Sequence, residues 1–199
     1  MPTLQSLLDS PDQSVRLKAA LDAGTFPKVE FIDVLISQCA IEPDFFVRDT
    51  LSWALMRNDI AKVVKRLETE LQSPNHQAKS QAIHTLSKIG DKANYRLITD
   101  DMLFDSDDFI ASTAWRAASV LVPDADKPAL VQKLITQLGR GDSDIQFGLT
   151  RFLCALGDCI VEPLIQASNS ADAAISNQAK FTVLRYREMQ LESSKHPRK

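Results

Sequence analysis

Val47-Arg48-Asp49-Thr50-Leu51-Ser52-Trp53-Ala54-Leu55 is a helical phrase: Val47, Leu51, Ala54 and Leu55 fall on one stripe of a 3.6-residue period. The same phrase stands at Val15-Arg16-Leu17-Lys18-Ala19-Ala20-Leu21 and at Ala78-Lys79-Ser80-Gln81-Ala82-Ile83-His84-Thr85-Leu86. It returns as Ile110 to Leu121, Ile145 to Leu156 and Ile175 to Leu184. The anchors Val15, Val47, Ala78, Ile110, Ile145 and Ile175 follow one another at about 30 to 35 residues, the period of stacked helical hairpins. One hairpin cannot bury its apolar face alone, so neighbours must stack. The expected fold is all-α, a right-handed α-solenoid of about six hairpins forming a single domain over residues 1–187.

A first helix precedes each phrase, with stripes such as Val29, Ile32, Leu35, Ile36 or Leu130, Leu134, Leu138. The joining turns, Ser73-Pro74-Asn75-His76-Gln77, Asp105-Ser106-Asp107-Asp108 and Gly139-Arg140-Gly141-Asp142-Ser143-Asp144, carry the Ser, Asp and Asn that satisfy free amides at a helix start. Second helices are expected to end on left-handed glycines at Gly24, Gly90-Asp91 and Gly157-Asp158. No stretch reads as a strand.

An anchor, often followed by Arg or Lys, then small residues, Leu and a closing Gly-Asp, is similar to HEAT-like repeats, including those of the bacterial phycobilin-lyase type. The resemblance runs from about Leu4 to Arg187. Phe46-Val47-Arg48-Asp49-Thr50-Leu51, His84-Thr85-Leu86-Ser87-Lys88-Ile89-Gly90-Asp91 and Gln137-Leu138-Gly139-Arg140-Gly141 also resemble a bacterial HEAT-repeat group associated with regulators, sometimes fused behind a MerR-type DNA-binding head. Here the first repeat starts almost at Met1, and no such head is expected. The resemblance implies a binding or scaffold module and leaves its partner open.

Composition agrees with a globular chain: 199 residues, 44% hydrophobic and 25% charged, with 6 Gly. A net charge of -3 disfavours grip on nucleic acid through phosphate neutralisation. The start lacks a secretory signal and no apolar run approaches a membrane span, so a cytoplasmic protein is expected. Cys39, Cys154 and Cys159 are odd in number and lack CxxC spacing, and read as buried thiols. The polar end, residues 188–199, is expected to be a disordered tail.

Counted from each anchor, positions 0, +4, +7, +8 and +11 are mostly small or apolar and should form the core. Positions +1, +2, +5, +6 and +9 should face outward, on the side that second helices line in a solenoid of this type. At +6 stand Leu21, Trp53, His84, Arg116, Arg151 and Phe181; at +5 stand Ser52, Ile83, Trp115, Thr150 and Lys180. Trp, Phe and Arg are the types enriched in binding hot spots. Trp53, His84, Trp115, Arg116 and Arg151 are therefore the candidate partner-binding ridge, weighed against the reading in which each Trp only wedges between helices. Arg16, Arg48, Asp49, Lys79 and Gln146 fit a structural ladder of hydrogen bonds.

No catalytic, cofactor or metal set emerges. His76, His84 and His196 lack the His-Glu pairing of di-iron hydroxylases built on HEAT repeats. The acids Asp100, Asp101, Asp105, Asp107 and Asp108 lack the glycine turn and distal Glu of a calcium loop, and read as capping residues. Gly139-Arg140-Gly141 follows a helix and reads as a turn, not a phosphate loop. Phe45 and Phe46 stand at a turn, where one can reach the core and the other lie exposed. A non-enzymatic protein- or peptide-binding scaffold is the first reading. A helical-repeat nucleic-acid binder resembling DNA glycosylases, and a bilin lyase or chaperone, remain as alternatives.

Overall fold

Every second helix begins on an Asx residue three positions before its anchor. Asp12, Asp44, Asn75, Asp107, Asp142 and Asp172 each accept a hydrogen bond from an amide of the first helical turn. Each such cap contributes about 1 kcal/mol, and together they set where the inner helices start. Asp105, one of the acidic cluster, in turn accepts from the Asp107 amide at 2.9 Å. Asp100 and Asp108 pair with Lys133 and Arg140 at 2.6 and 2.7 Å.

The computed structural model describes residues 2–195, and among these it is all-α with no strand. The chain divides into two compact units, Met1–Asp91 and Lys92–Lys199. In the first, α1 (Leu4–Leu8) pairs with α2 (Gln13–Thr25), α3 (Phe31–Cys39) with α4 (Phe45–Met56), and α5 (Ile60–Glu70) with α6 (His76–Ile89). In the second, a 3-10 turn (Lys92–Leu97) and α7 (Asp100–Leu103) lead into α8 (Asp108–Leu121). There α9 (Lys127–Ile135) precedes α10 (Ser143–Cys154), and α11 (Val161–Ala167) precedes α12 (Ala173–Lys195). Within each unit inner helices stack on inner helices, α2 on α4 on α6 and α8 on α10 on α12. The helical-repeat class expected from the anchors is the one observed.

The stripe at 0, +4, +7, +8 and +11 is the core. Val47, Leu51, Ala54, Leu55, Ile110, Ala114, Ala117, Ala118 and Leu121 are all fully buried. The expected outward set needs correction at +5. Ser52, Ile83, Trp115 and Thr150 are buried there, and for Ser52 and Thr150 what covers them is the next inner helix of the same unit. Ser52 Oγ meets Thr85 Oγ1 at 3.3 Å, and Thr150 Oγ1 meets Thr182 Oγ1 at 2.9 Å. Lys180, the +5 residue of the last hairpin, is exposed.

Two glycines differ from one another in what they do. Gly90 caps α6 with φ 73°, a conformation glycine adopts without steric cost, and its amide donates to Leu86 O at 3.1 Å. Gly24 is no cap. It lies inside α2, and a Cβ there would stand 2.1 Å from Trp53 Cζ3, so glycine is required for the tryptophan ring to lie against the α2 backbone.

At the far end, α12 continues through Lys195, so residues 188–195 are helical where a disordered tail was expected. Local bonds support this turn by turn: Arg185 to Glu188 at 3.3 Å, Gln190 Nε2 to Tyr186 Oη at 2.6 Å, and Ser194 Oγ to Gln190 O at 2.9 Å. The remainder of the expected tail, 196–199, with His196, lies outside the described residues. Among the described residues no helix is long and apolar enough to cross a membrane.

Candidate functional site

The ridge candidates separate by where their helices carry them. Trp115 belongs to the core: it has no exposed surface, and its indole N–H donates to Leu103 O at 2.8 Å, tying α8 to α7. The Arg140 guanidinium lies 5.7 Å from the Trp115 ring centroid while its Nε donates to Asp108 Oδ1 at 2.7 Å. The Gly139-Arg140-Gly141 turn is thereby a clamp between successive hairpins. With no exposed surface, Trp115 is unavailable to a partner.

In the first unit, Trp53 is half-buried on Gly24. His84 is also half-buried, its Nε2 3.7 Å from Asp49 Oδ1, and Lys88 Nζ is hydrogen-bonded to the same carboxylate oxygen. The Lys88 hydrogen bond, with Coulombic help from Lys88 and His84 and against partial burial, holds the Asp49 carboxyl below its ordinary range. These polar groups satisfy one another across α4 and α6. Phe45 and Phe46 are both exposed, edge to face with centroids 5.6 Å apart, so neither reaches the core as expected of one of them.

Arg16, Arg48 and Gln146, all at +1, are structural. Arg16 donates to Ser10 O and Pro11 O, Arg48 to Glu42 O and Pro43 O, and Gln146 to Gly139 O and Gly141 O. Each folds back onto carbonyls of the turn that leads into its own helix. Arg16 also grips the fully buried Glu42 bidentately, at 2.8 and 2.9 Å, and Gln38 Nε2 and the Asp44 amide complete that carboxylate at 3.0 and 3.1 Å. Burial opposes ionisation of Glu42, but the Arg16, Gln38 and Asp44 hydrogen bonds outweigh it and hold its pKa below the ordinary value.

In the second unit Arg116 and Arg151 are exposed and, among the described residues, join no salt bridge. Arg151 borders an open hollow of about 380 Å³ between α10 and α12, lined by Phe147, Thr150, Arg151, Cys154, Arg185 and Met189. A second hollow of about 250 Å³ adjoins it through Phe147 and Thr150 and reaches Asn177 and Phe181. The Phe147 and Phe181 rings lie 6.4 Å apart, tilted by 44°, and both are about half exposed. Under the hollow, Thr150 and Thr182 bond each other, and burial raises the Cys154 thiol pKa. Cys39 is buried and pushed up to about 12 by that burial, whereas Cys159 is half-buried rather than buried.

Phe147, Arg185 and Met189 were not singled out in the sequence. Phe147 stands at +2, a position read as outward, and Arg185 one turn beyond +6 in a helix whose length was underestimated. A half-exposed aromatic pair beside two guanidiniums can bind apolar and anionic groups together. No three His, Cys, Asp or Glu side chains converge as a metal group among the described residues.

Neither a family model nor a curated protein matches the chain. Among solved structures, an engineered protein from a structural-genomics programme is 19% identical with a TM-score of 0.50, over 93% of this chain and 95% of the other. The complex of CpcE and CpcF of phycocyanin lyase from Nostoc sp. PCC7120 is similar at 19% identity and a TM-score of 0.50, over 90% of this chain and 75% of that one. At that identity the likeness is one of fold, the helical repeat.

Proposed function

We propose that the chain is a non-enzymatic binding module that holds a protein or peptide against the solvent face of its inner helices. What carries the reading is the α10–α12 surface. Phe147 and Phe181 keep about half their surface in water beside Arg151 and Arg185, over hollows of about 250 and 380 Å³. Large apolar side chains left wet next to directional donors are what a partner desolvates with gain. Trp53, His84 and Arg116 extend the candidate surface on their own units, and Trp115 acts only in the core.

The test is comparative capture from extract of the source cells, with the parent chain and with Phe181→Ala and Arg151→Ala variants whose melting is unchanged. Loss of the same partner from both variants supports the assignment. Retention of every partner by both refutes it.

A second reading has two observations in its favour: the helical fold is shared with the CpcE and CpcF complex of phycocyanin lyase, and the hollow pairs apolar lining with two guanidiniums. An open-chain tetrapyrrole, which has an apolar body and two propionates, matches that chemistry. A changed absorption spectrum on mixing bilin with the chain, lost in Arg151→Ala, would favour it; an unchanged spectrum removes it.

A further inference from the structure

The inner-helix face of the second unit carries two rows, and they differ in chemistry. Phe109 on α8, Phe147 on α10 and Phe181 on α12 are 56%, 51% and 47% exposed. Each helix also exposes an arginine further along: Arg116, Arg151 and Arg185. The interval is four residues in α10 and α12 and seven in α8, spacings that return a side chain to the same helix face. On α10 and α12 an apolar pair thus lies beside two guanidiniums, and α8 carries the same two residue types at a spacing that puts them on one face.

Few carboxylates of this unit answer the cationic row. Glu188 lies 3.3 Å from Arg185, and Asp144 stands in the first turn of α10. Arg116 and Arg151 form no ion pair among the described residues. A basic partner would meet three like charges here. A purely apolar one would desolvate guanidiniums without replacing their hydrogen bonds, at a cost.

Resting on the reading that this face binds a partner, we propose that its occupant is an acidic amphipathic peptide segment. Its apolar side chains lie on the Phe147–Phe181 pair and in the adjoining hollows, and its Asp or Glu carboxylates pair with Arg151 and Arg185, then with Arg116. The planar guanidinium accepts a carboxylate through two parallel hydrogen bonds, which gives register as well as attraction. Nucleic acid is also anionic, but phosphate neutralisation calls for a dense cationic stripe, and this face has one exposed arginine per inner helix named above in a chain of net charge -3.

The experiment is a peptide-display selection on the intact chain, followed by titration of the selected synthetic peptides, and of a labelled single-stranded oligonucleotide, against the parent, Arg151→Glu/Arg185→Glu and Phe147→Ala. Selected peptides should carry Asp or Glu three or four positions from Leu, Phe or Met. Replacing their carboxylates by amides should weaken binding about tenfold, added salt should weaken it further, and Phe147→Ala should weaken every one of them. If the charge-reversed pair fails to fold, Arg151→Gln/Arg185→Gln serves instead, with unchanged urea unfolding as the control.

Selected peptides that lack carboxylates yet lose binding with Phe147→Ala would overturn the acidic occupant and leave the binding face intact. Peptides that bind every variant equally, or no peptide at all, would overturn both. An oligonucleotide that outcompetes every selected peptide and depends on the arginines would replace the peptide with nucleic acid.

Discussion

Replacing Gly24 by alanine sets two effects against each other, and the packing decides the sign. In a helix interior alanine is favoured over glycine by about 1 kcal/mol. Gly24 lies one residue from the end of α2, so the gain is at most that. Against it, a Cβ would stand 2.1, 2.6 and 2.9 Å from Cζ3, Cε3 and Cη2 of Trp53, whereas carbon atoms in contact rest at about 3.5–4.0 Å. The ring must retreat by about 1.5 Å to reach that distance, either leaving α2 or pushing α4 away. Overpacking of this kind costs about 1–3 kcal/mol. Gly24→Ala should therefore lose about 1–2 kcal/mol net, which in a chain of this length lowers Tm by about 2–8 °C. The assay is a double-mutant cycle in urea. With Trp53→Ala the obstacle is gone, and the same Gly24→Ala change should become neutral or stabilising by up to about 1 kcal/mol, a coupling of about 1–3 kcal/mol. Fluorescence supplies a second reading, because a displaced Trp53 emits further to the red while Trp115 stays buried. A Gly24→Ala chain more stable than its parent, or one that loses the same stability in both backgrounds, would refute the ring-on-backbone contact.

Glu42→Gln should cost on the order of 3 kcal/mol in urea unfolding, because it leaves the Arg16 guanidinium without its buried partner. The same carboxylate predicts a pH limb. Its folded pKa is held down, so its stabilisation is complete above the ordinary glutamate value of about 4.3 and is lost as pH falls through the lower folded value. The urea midpoint should drop below about pH 4 in the parent and less steeply in Glu42→Gln; parallel profiles would remove Glu42 from the acid limb. Trp115→Phe should lose about 2–3 kcal/mol, from the orphaned Leu103 carbonyl and the space left behind, while the folded variant keeps the parent's partner affinity. Lys88→Met should change stability by less than about 1 kcal/mol, since the Asp49 carboxylate it pairs with is substantially exposed; a larger loss would show the pair to be better shielded than its exposure implies.

The fold class was legible because its signals are local and recur. Six Asx residues three before six anchors, the apolar stripe and the Gly90 cap each depend on a few neighbouring residues, and each repeats. Gly24 was misread because a glycine near a helix end carries the same sequence signal whether it caps the helix or admits a ring from the next hairpin. Residues 188–195 were misread because polar side chains that lack an apolar period can still hold a helix through bonds such as Gln190 to Tyr186. Within the candidate site, Arg116 and Arg151 were placed on the exposed face from their +6 position, and they are there. Phe147 and Arg185 were passed over because no single repeat position collects them: the aromatic row drifts from -1 through +2 to +6 across the three helices.

The sequence by itself determined the hairpins, their number, the Asx caps that start their inner helices and the stripe each one buries, since these follow from the period of one helix and the hydrogen bonds of one turn. Only the tertiary structure decided which of two adjacent positions, +5 or +6, belongs to the core. That choice depends on how far a neighbouring inner helix wraps around the one it packs against, an angle of tens of degrees that no single helix contains. It sends Trp115 inward to bond Leu103, leaves Arg116 beside it in water, and gathers Phe147, Phe181, Arg151 and Arg185 into one surface from two helices about thirty residues apart.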